Sequence, residues 1–398
     1  MKKSVLNLML PVLVLSLALS ARAADWPHFL GPDYDNKTRE TGWNLEAIGE
    51  IEKVWSCDVG SAYSSFSYVG GRLYTCGDAE GKQAVYCLDA LKGDVIWKQP
   101  FEDMYKDRRG DGARATPTVH DGKVYIIGAM GRFACLDASD GKELWAHQLG
   151  RRPTWGHSGS VLIHGDLAIV PAGLRDGAIR AYAKNTGALK WSVGSDRTSY
   201  AMPFPFVLGG RKYVATRMAN RIYFVDPDEG REVLTIPWKC GVNATAPVYE
   251  DGLMFISSAY KKGSAVYRIF AKGDGLGYEE VWSDKKLECR FSPLVLHEGH
   301  LYGQIENELA CIELKTGAVK WRRRKGHRNW GNVVMADGHL LVLTSVGELQ
   351  LAKPSPYGYS PIKTQRVLRG RCWTAPVLAS GYLYVRNQTE VRCFDMRR

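Results

Sequence analysis

One unit returns along nearly the whole chain. Its clearest copy reads Thr116-Pro117-Thr118-Val119, Asp121-Gly122, Lys123-Val124-Tyr125-Ile126-Ile127, Gly131, Cys135-Leu136-Asp137, Gly141 and Trp145. Asp-Gly between β-rich runs is a hairpin signal, and short β-branched and aromatic runs bounded by glycine read as strands. The unit is therefore four strands: a Pro-led strand into an Asp-Gly turn, a Val/Tyr/Ile strand, a strand ending in Leu-Asp, and a strand carrying Trp. A unit this small cannot bury its own faces, so its recurrence demands an array in which neighbours cover one another.

The other copies drift around the same landmarks. Gly71-Arg72-Leu73-Tyr74 leads to Cys87-Leu88-Asp89, Gly93 and Trp97, and Gly165-Asp166-Leu167 leads to Thr186-Gly187 and Trp191. Val225-Asp226-Pro227 is followed by Gly230 and Trp238, and Ala246-Pro247-Val248 with Asp251-Gly252 by Trp282. A clear late copy holds Ser292-Pro293-Leu294, Gly299, Leu301-Tyr302, Cys311-Ile312-Glu313, Thr316-Gly317 and Trp321, and a weaker one holds Asp337-Gly338 and Leu340-Leu341. The last opens at Thr374-Ala375-Pro376-Val377 and stops at Cys393-Phe394-Asp395 without a fourth strand, while Val54-Trp55 stands ahead of the first copy with no strands before it. Closure reconciles the two ends: the N-terminal strand completes the last blade. The expected fold is all-β, an eight-bladed β-propeller of four-stranded antiparallel blades that leaves no terminal sheet unpaired. Tryptophan spacings of about 39–48 residues correspond to one blade each, with seven or nine blades open where copies are degenerate. The Trp side chains are expected to wedge between blades.

Ahead of the repeats, Met1-Lys2-Lys3, an apolar run from Val5 to Leu19 and Ala21-Arg22-Ala23 describe a secretory signal peptide over 1–23, cleaved after Ala23. Residues 24–50 then form a docking segment and 51–398 the propeller. The expected location is extracytoplasmic, periplasmic or secreted, and no later stretch approaches the ~20 apolar residues of a membrane helix. Removing Lys2, Lys3 and Arg22 lowers the formal charge from +11 to +8. Nine cysteines in an oxidising compartment could pair, though an odd number leaves one over. Cys87, Cys135, Cys311 and Cys393 share one repeat position, which reads as a small buried strand residue. Cys76 and Cys87 flank one hairpin and are candidates for a cross-strand disulfide.

Leu136-Asp137, Gly141, Trp145 and Ile312-Glu313, Thr316-Gly317, Trp321 resemble the A-x-D-x-x-T-G-x-x-x-W motif of pyrroloquinoline-quinone (PQQ)-type propeller repeats. The resemblance covers nearly all of the mature chain. It implies the fold but leaves function open, because such repeats serve quinoprotein dehydrogenases and also cofactor-free proteins such as the outer-membrane assembly lipoprotein BamB. The opening Asp25-Trp26-Pro27-His28-Phe29-Leu30-Gly31-Pro32, with Glu40 and Gly42-Trp43, resembles the leader of PQQ-like propellers abundant in planctomycete-type bacteria, and its aromatic content implies docking on the propeller. Alcohol dehydrogenases of this fold are typified by a disulfide between adjacent cysteines and by acidic and amide ligands to Ca²⁺. This chain has no Cys-Cys, and no such ligand set aligns. No cofactor is expected, with PQQ and Ca²⁺ kept as the alternative. H-E-x-x-H, G-x-S-x-G and P-loop signatures are absent, so no catalytic or metal residue is assigned.

Propeller topology supplies a different lead. Loops joining the fourth strand of one blade to the first of the next share one face around the channel mouth. Taken as 56–64, 98–114, 146–157, 192–202, 239–245, 283–291, 322–331 and 367–374, they hold 19 Lys/Arg against 8 Asp/Glu. Residues just before the innermost strands should ring the mouth, and Arg114, Trp155, His157, Arg197, Arg290, Trp330, Arg371 and Trp373 are the candidate ligand-binding set, with Tyr200 and Asn243 beside them. Arg offers a planar donor fork to carboxylate, sulfate or phosphate, and Trp a stacking face for sugars or cofactors. The basic run Arg322-Arg323-Arg324-Lys325, with His327-Arg328, reads as a solvated rim loop or part of the same surface. The expectation is a non-catalytic binding or scaffold propeller whose mouth takes an anionic ligand, an envelope glycan or an envelope protein partner. Export favours a cell-envelope polyanion over nucleic acid. A PQQ-dependent dehydrogenase of alcohols or sugars and a BamB-like assembly factor are the alternatives.

Overall fold

The Gly-bounded strand runs pair as the repeat requires. In the computed structural model, which describes residues 25–323 and 331–397, the strands form eight four-stranded antiparallel sheets. In chain order blade 1 spans 67–103, blade 2 118–148, blade 3 162–193, blade 4 204–237, blade 5 248–284, blade 6 295–323 and blade 7 332–366. Blade 8 takes three strands from 377–395 and its outermost strand, Lys53–Asp58, from the other end of the chain. Trp55 lies opposite Cys393, Ser56 opposite Arg392 and Asp58 opposite Glu390, so the ring closes by hydrogen bonds across the termini.

The repeat's conserved-looking spacing has a physical role at the blade interfaces. Trp55, Trp97, Trp145, Trp191, Trp282 and Trp321 sit on outer strands, and each indole Nε1 donates to a backbone carbonyl of the next blade: Ala90, Ala138, Lys184, Pro227, Leu314 and Ser355, at 2.7–3.2 Å. Except at Trp321, the ring also lies against a turn glycine. At Gly141, where φ is +79°, an added Cβ would stand 2.6 Å from Trp97. Tyr384, Tyr74 and Tyr125 send their hydroxyls to the same carbonyls, on Ala90, Ala138 and Lys184. Between each Tyr and Trp, on the strand that separates them, sits the recurring cysteine: Tyr74, Cys87 and Trp97 form one such row, and Tyr125, Cys135 and Trp145 another. A small residue there lets the two rings meet, with centroids 6.0 and 6.1 Å apart.

Two expectations need correction. Trp238 is not the fourth blade's interface tryptophan: that register position, opposite Phe224, belongs to Leu234, while Trp238 lies just beyond the strand and donates to Ser258 Oγ at 2.9 Å. The Cys76–Cys87 disulfide is absent, and all nine cysteines are free. Cys76 faces Val85 and Cys87 faces Tyr74, so the two are offset along the ladder rather than paired. Burial pushes Cys87 and Cys311 up to about 11 and Cys135 to about 12, which keeps them as thiols.

The segment before the ring crosses the inner edges of the blades. Trp26 exchanges two backbone hydrogen bonds of 2.8 Å with Tyr68, Pro27 accepts from Val119, and Asn36 and Thr38 flank Met335 through bonds of 3.0 Å. Leu30, Met202 and Ala246 form an apolar cluster with Phe29 and Tyr34 against it. The chain then leaves the channel, where Glu40 accepts from the amides of Ser380 and Gly381, and Trp43, Leu45, Ile48 and Ile51 pack into the core of blades 7 and 8. The signal expectation for 1–23 lies outside the described residues.

Replacing Gly141 by Ala should destabilise the protein by about 1–3 kcal/mol more than Gly122→Ala, because only the former drives a Cβ into Trp97 while both carry positive φ. Chemical denaturation of the two variants checks this. Equal losses would mean that the indole–glycine contact is slack.

Candidate functional site

Residues preceding the inner strands surround a cavity of about 420 Å³ at the channel mouth. Its throat carries small hydroxyls from successive blades in equivalent positions: Ser65, Thr116 and Ser160. Ser65 N–H donates to Thr116 Oγ1 and Thr116 N–H to Ser160 Oγ, both at 3.1 Å, so a belt of hydrogen bonds steps from blade to blade. The leader meets the inner strands further along, at Tyr68, Val119 and Met335, and its Phe29 lines the same cavity. Phe29 therefore brings the leader to the inner side of the cavity, away from the loop face.

The walls are aromatic. Tyr63 stacks on Trp373 with centroids 5.5 Å apart and planes 22° from parallel. Trp155 gathers Tyr200, Tyr260 and Phe291 at 5.6–6.1 Å. Guanidinium groups are threaded between rings: Arg371 lies 4.6 Å from the Trp373 centroid, Arg114 4.5 Å from Tyr105, and Arg109 4.6 Å from Trp155.

These arginines differ in what their donors already do. Arg114 gives Nε to Trp155 O at 3.1 Å and Nη2 to Gly110 O at 2.7 Å, with Nη1 on Gly112 O, and burial lowers its pKa from the usual guanidinium value. Arg371 donates to Tyr63 Oη at 3.0 Å and to the Arg109 carbonyl. Both hold the loop between blades 1 and 2 in place. Arg109 and Arg290 line the cavity, and within the described residues their side-chain nitrogens make no hydrogen bond; Arg290 Nε stands 3.9 Å from Glu288. They are the cations with donors to offer.

Of the candidate set, Trp155, Arg114, Arg290 and Trp373 line the cavity, and Arg371 buttresses it. His157 is buried beside it, accepts no role on its surface, and has Nε2 3.2 Å from Gly150 O. Arg197 is exposed and away from the lining, and Trp330 lies outside the described residues, as does the basic run from Arg324. Asn243 is consumed by Met218 and Cys240 carbonyls at 2.6 and 2.7 Å. Sequence reasoning missed Tyr63, Arg109, Tyr260 and Phe291. Three of these lie in the mouth loops counted above; Tyr260 lies in a second-to-third-strand turn of blade 5, and that class of loops shares the face.

A quinone with Ca²⁺ makes two demands. Rings and guanidinium groups suit a flat polycarboxylate. A hard divalent cation needs several oxygen ligands, and the one carboxylate lining the cavity, Asp107, already accepts from Arg109 N–H at 2.8 Å. No group of three or more His, Cys, Asp or Glu suited to a metal occurs among the described residues. The donor set does not fit the metal half of that cofactor.

Closed ring and walled mouth together define a propeller of the PQQ-repeat class. The family profile described as outer membrane protein assembly factor BamB matches residues 33–174 and 175–286, and the chain belongs to that family. BamB of Salmonella typhimurium is 25% identical over 284 residues, covering 68% of this chain and 70% of that one. The quinohemoprotein alcohol dehydrogenase of Comamonas testosteroni is 29% identical over 206 residues, or 47% of this chain and 28% of the dehydrogenase. The solved structure of Moraxella catarrhalis BamB superposes with a TM-score of 0.63 at 17% identity, covering 87% of this chain and 98% of that one, which speaks for the fold alone. No helix among the described residues is long and apolar enough to cross a membrane.

Burial lowers His157 and the leader's His28 to about 4. Unfolded imidazoles titrate near 6.5, so between about 6.5 and 4 the unfolded chain binds more protons, and stability falls as pH drops through that window. Thermal unfolding across pH 7 to 4 should show the decline, and His157→Gln should flatten it. A profile unchanged by that substitution would place the histidine in contact with water.

Proposed function

We propose that this chain is an exported, non-catalytic binding and scaffold propeller of the cell envelope, whose basic, aromatic-lined mouth takes an anionic ligand, glycan or protein partner. One observation carries the reading: Arg109 and Arg290 line the cavity with side-chain nitrogens that make no hydrogen bond among the described residues, Arg290 having only a 3.9 Å ion pair with Glu288. An arginine with open donors beside stacking faces suits an acidic group. The candidate set Arg114, Trp155, Arg290, Arg371 and Trp373 is retained as two groups, with Arg290 facing the ligand from the loop between blades 5 and 6, and Arg114 and Arg371 holding the loop that presents Arg109. Kinship with BamB supports an envelope setting and an assembly or scaffold role. The dehydrogenase reading has the shared repeat behind it, but among the described residues the lining holds one carboxylate, Asp107, and no group of three or more suited to a metal.

Immobilised polygalacturonate should retain the protein at low ionic strength and release it near ~0.5 M salt, where the screening length falls to a few ångström. Arg109→Glu/Arg290→Glu should abolish retention, while Lys92→Glu/Lys315→Glu, on turns of the opposite face, should leave it. Retention lost equally in both pairs would reduce the effect to net charge.

Calorimetric titration with PQQ, with and without Ca²⁺, separates the enzyme reading. We expect no heat of binding at high micromolar concentration; one-to-one micromolar binding would turn the assignment to a quinoprotein.

A further inference from the structure

The cavity's polar groups are unbalanced. Arg109 and Arg290 have unused N–H groups, and the Thr116 and Ser160 hydroxyls accept from backbone amides without donating onward among the described residues. Thr374, also in the lining, is buried with Oγ1 unpartnered. Against these donors the lining supplies a single carboxylate, on Asp107, engaged with its own loop. Donors that outnumber the acceptors of the lining are matched by a ligand rich in acceptors.

Shape adds a second constraint. The Tyr63–Trp373 stack and the Trp155 cluster offer flat apolar faces. A volume of about 420 Å³ falls within the range of small-molecule pockets. Phe29 of the leader lies in the lining at the inner side, so a ligand entering from the loop face meets the leader there. Flat apolar faces, an excess of hydroxyl and guanidinium donors and a volume of small-molecule size together describe a short acidic sugar: ring faces on the aromatic residues, ring and hydroxyl oxygens on the belt, carboxylate on the arginines.

We propose that this cavity binds a small acidic saccharide of one or two uronic-acid rings, with its carboxylate held by Arg109 and Arg290 and a sugar face against Trp155 or Trp373. This rests on the mouth being the binding site and narrows it from an open basic face to a pocket for a small ligand.

Isothermal titration of the purified protein with digalacturonate tests it, with neutral galactobiose and polygalacturonate as comparators. The expected result is one-to-one binding of digalacturonate, with galactobiose at least about tenfold weaker, since a charge-assisted bond is lost. Arg290→Gln and Arg109→Gln should each weaken digalacturonate by about tenfold while leaving galactobiose unchanged. Two substitutions on different loops guard against one that disturbs folding, and matching thermal melts check both. Equal affinity for the two disaccharides, or wild-type affinity in both variants, would overturn the proposal. So would the absence of any disaccharide binding at millimolar concentration. In that last case, persisting capture of polygalacturonate leaves the basic-face reading standing without the pocket, and loss of both removes both.

Discussion

The indole that reaches from one blade onto the next is the interaction on which this molecule depends. Five of the six interface tryptophans do two things at once: each packs its ring on a turn glycine and gives its N–H to a carbonyl beside that turn, while Trp321 makes the hydrogen bond without a glycine beneath it. The glycine needs positive φ for the turn and an absent side chain for the ring, which is why Thr-Gly or Asp-Gly and Trp travel together in the repeat although they serve different interfaces. Trp55 makes this contact from the N-terminal strand of blade 8 to blade 1, so the same device that joins internal blades also crosses the point of closure.

Where the tryptophan is missing, the molecule joins its blades by other means. At the equivalent register blade 4 has Leu234 and blade 7 has Lys363. Between blades 4 and 5, Trp238 binds Ser258, and the buried Arg217 reaches the carbonyl of Ser257. Between blades 7 and 8 the leader does the work: Gln365 accepts from the amides of Gly49 and Ile51 at 3.0 and 2.9 Å and returns its own amide to Ile51 O. The leader thus belongs to the ring's mechanics as well as to the cavity lining.

This division explains what could be read from the sequence. Blade number, strand order, closure and the packing role of the cysteines were legible, because each follows from a periodic local pattern with one physical meaning. Trp238 misled because a tryptophan at nearly the right distance was taken for the repeat's own, and a bulge between Phe224 and Val225 sets the true register. The mouth was legible as a face and not as a site. Arg371 and Trp373 could be placed near the channel by topology, but only coordinates reveal that Arg371 spends its donors on Tyr63 and the Arg109 carbonyl. No sequence pattern distinguishes His157 buried under a carbonyl from a histidine facing the cavity.

Formal charge and usable charge part company for the same reason. The mouth loops carry a large excess of basic residues, and that excess sets a long-range field that screening erodes. Contact is a different matter, since an arginine satisfied by backbone carbonyls keeps its charge but has no directed bond to offer. The long loop between blades 1 and 2 illustrates the exchange. Arg114 and Arg371 fasten it, and in doing so they hold Arg109 over Trp155 with its guanidinium unspent. Two cations are immobilised so that a third is presented, beside the aromatic rings that line the mouth.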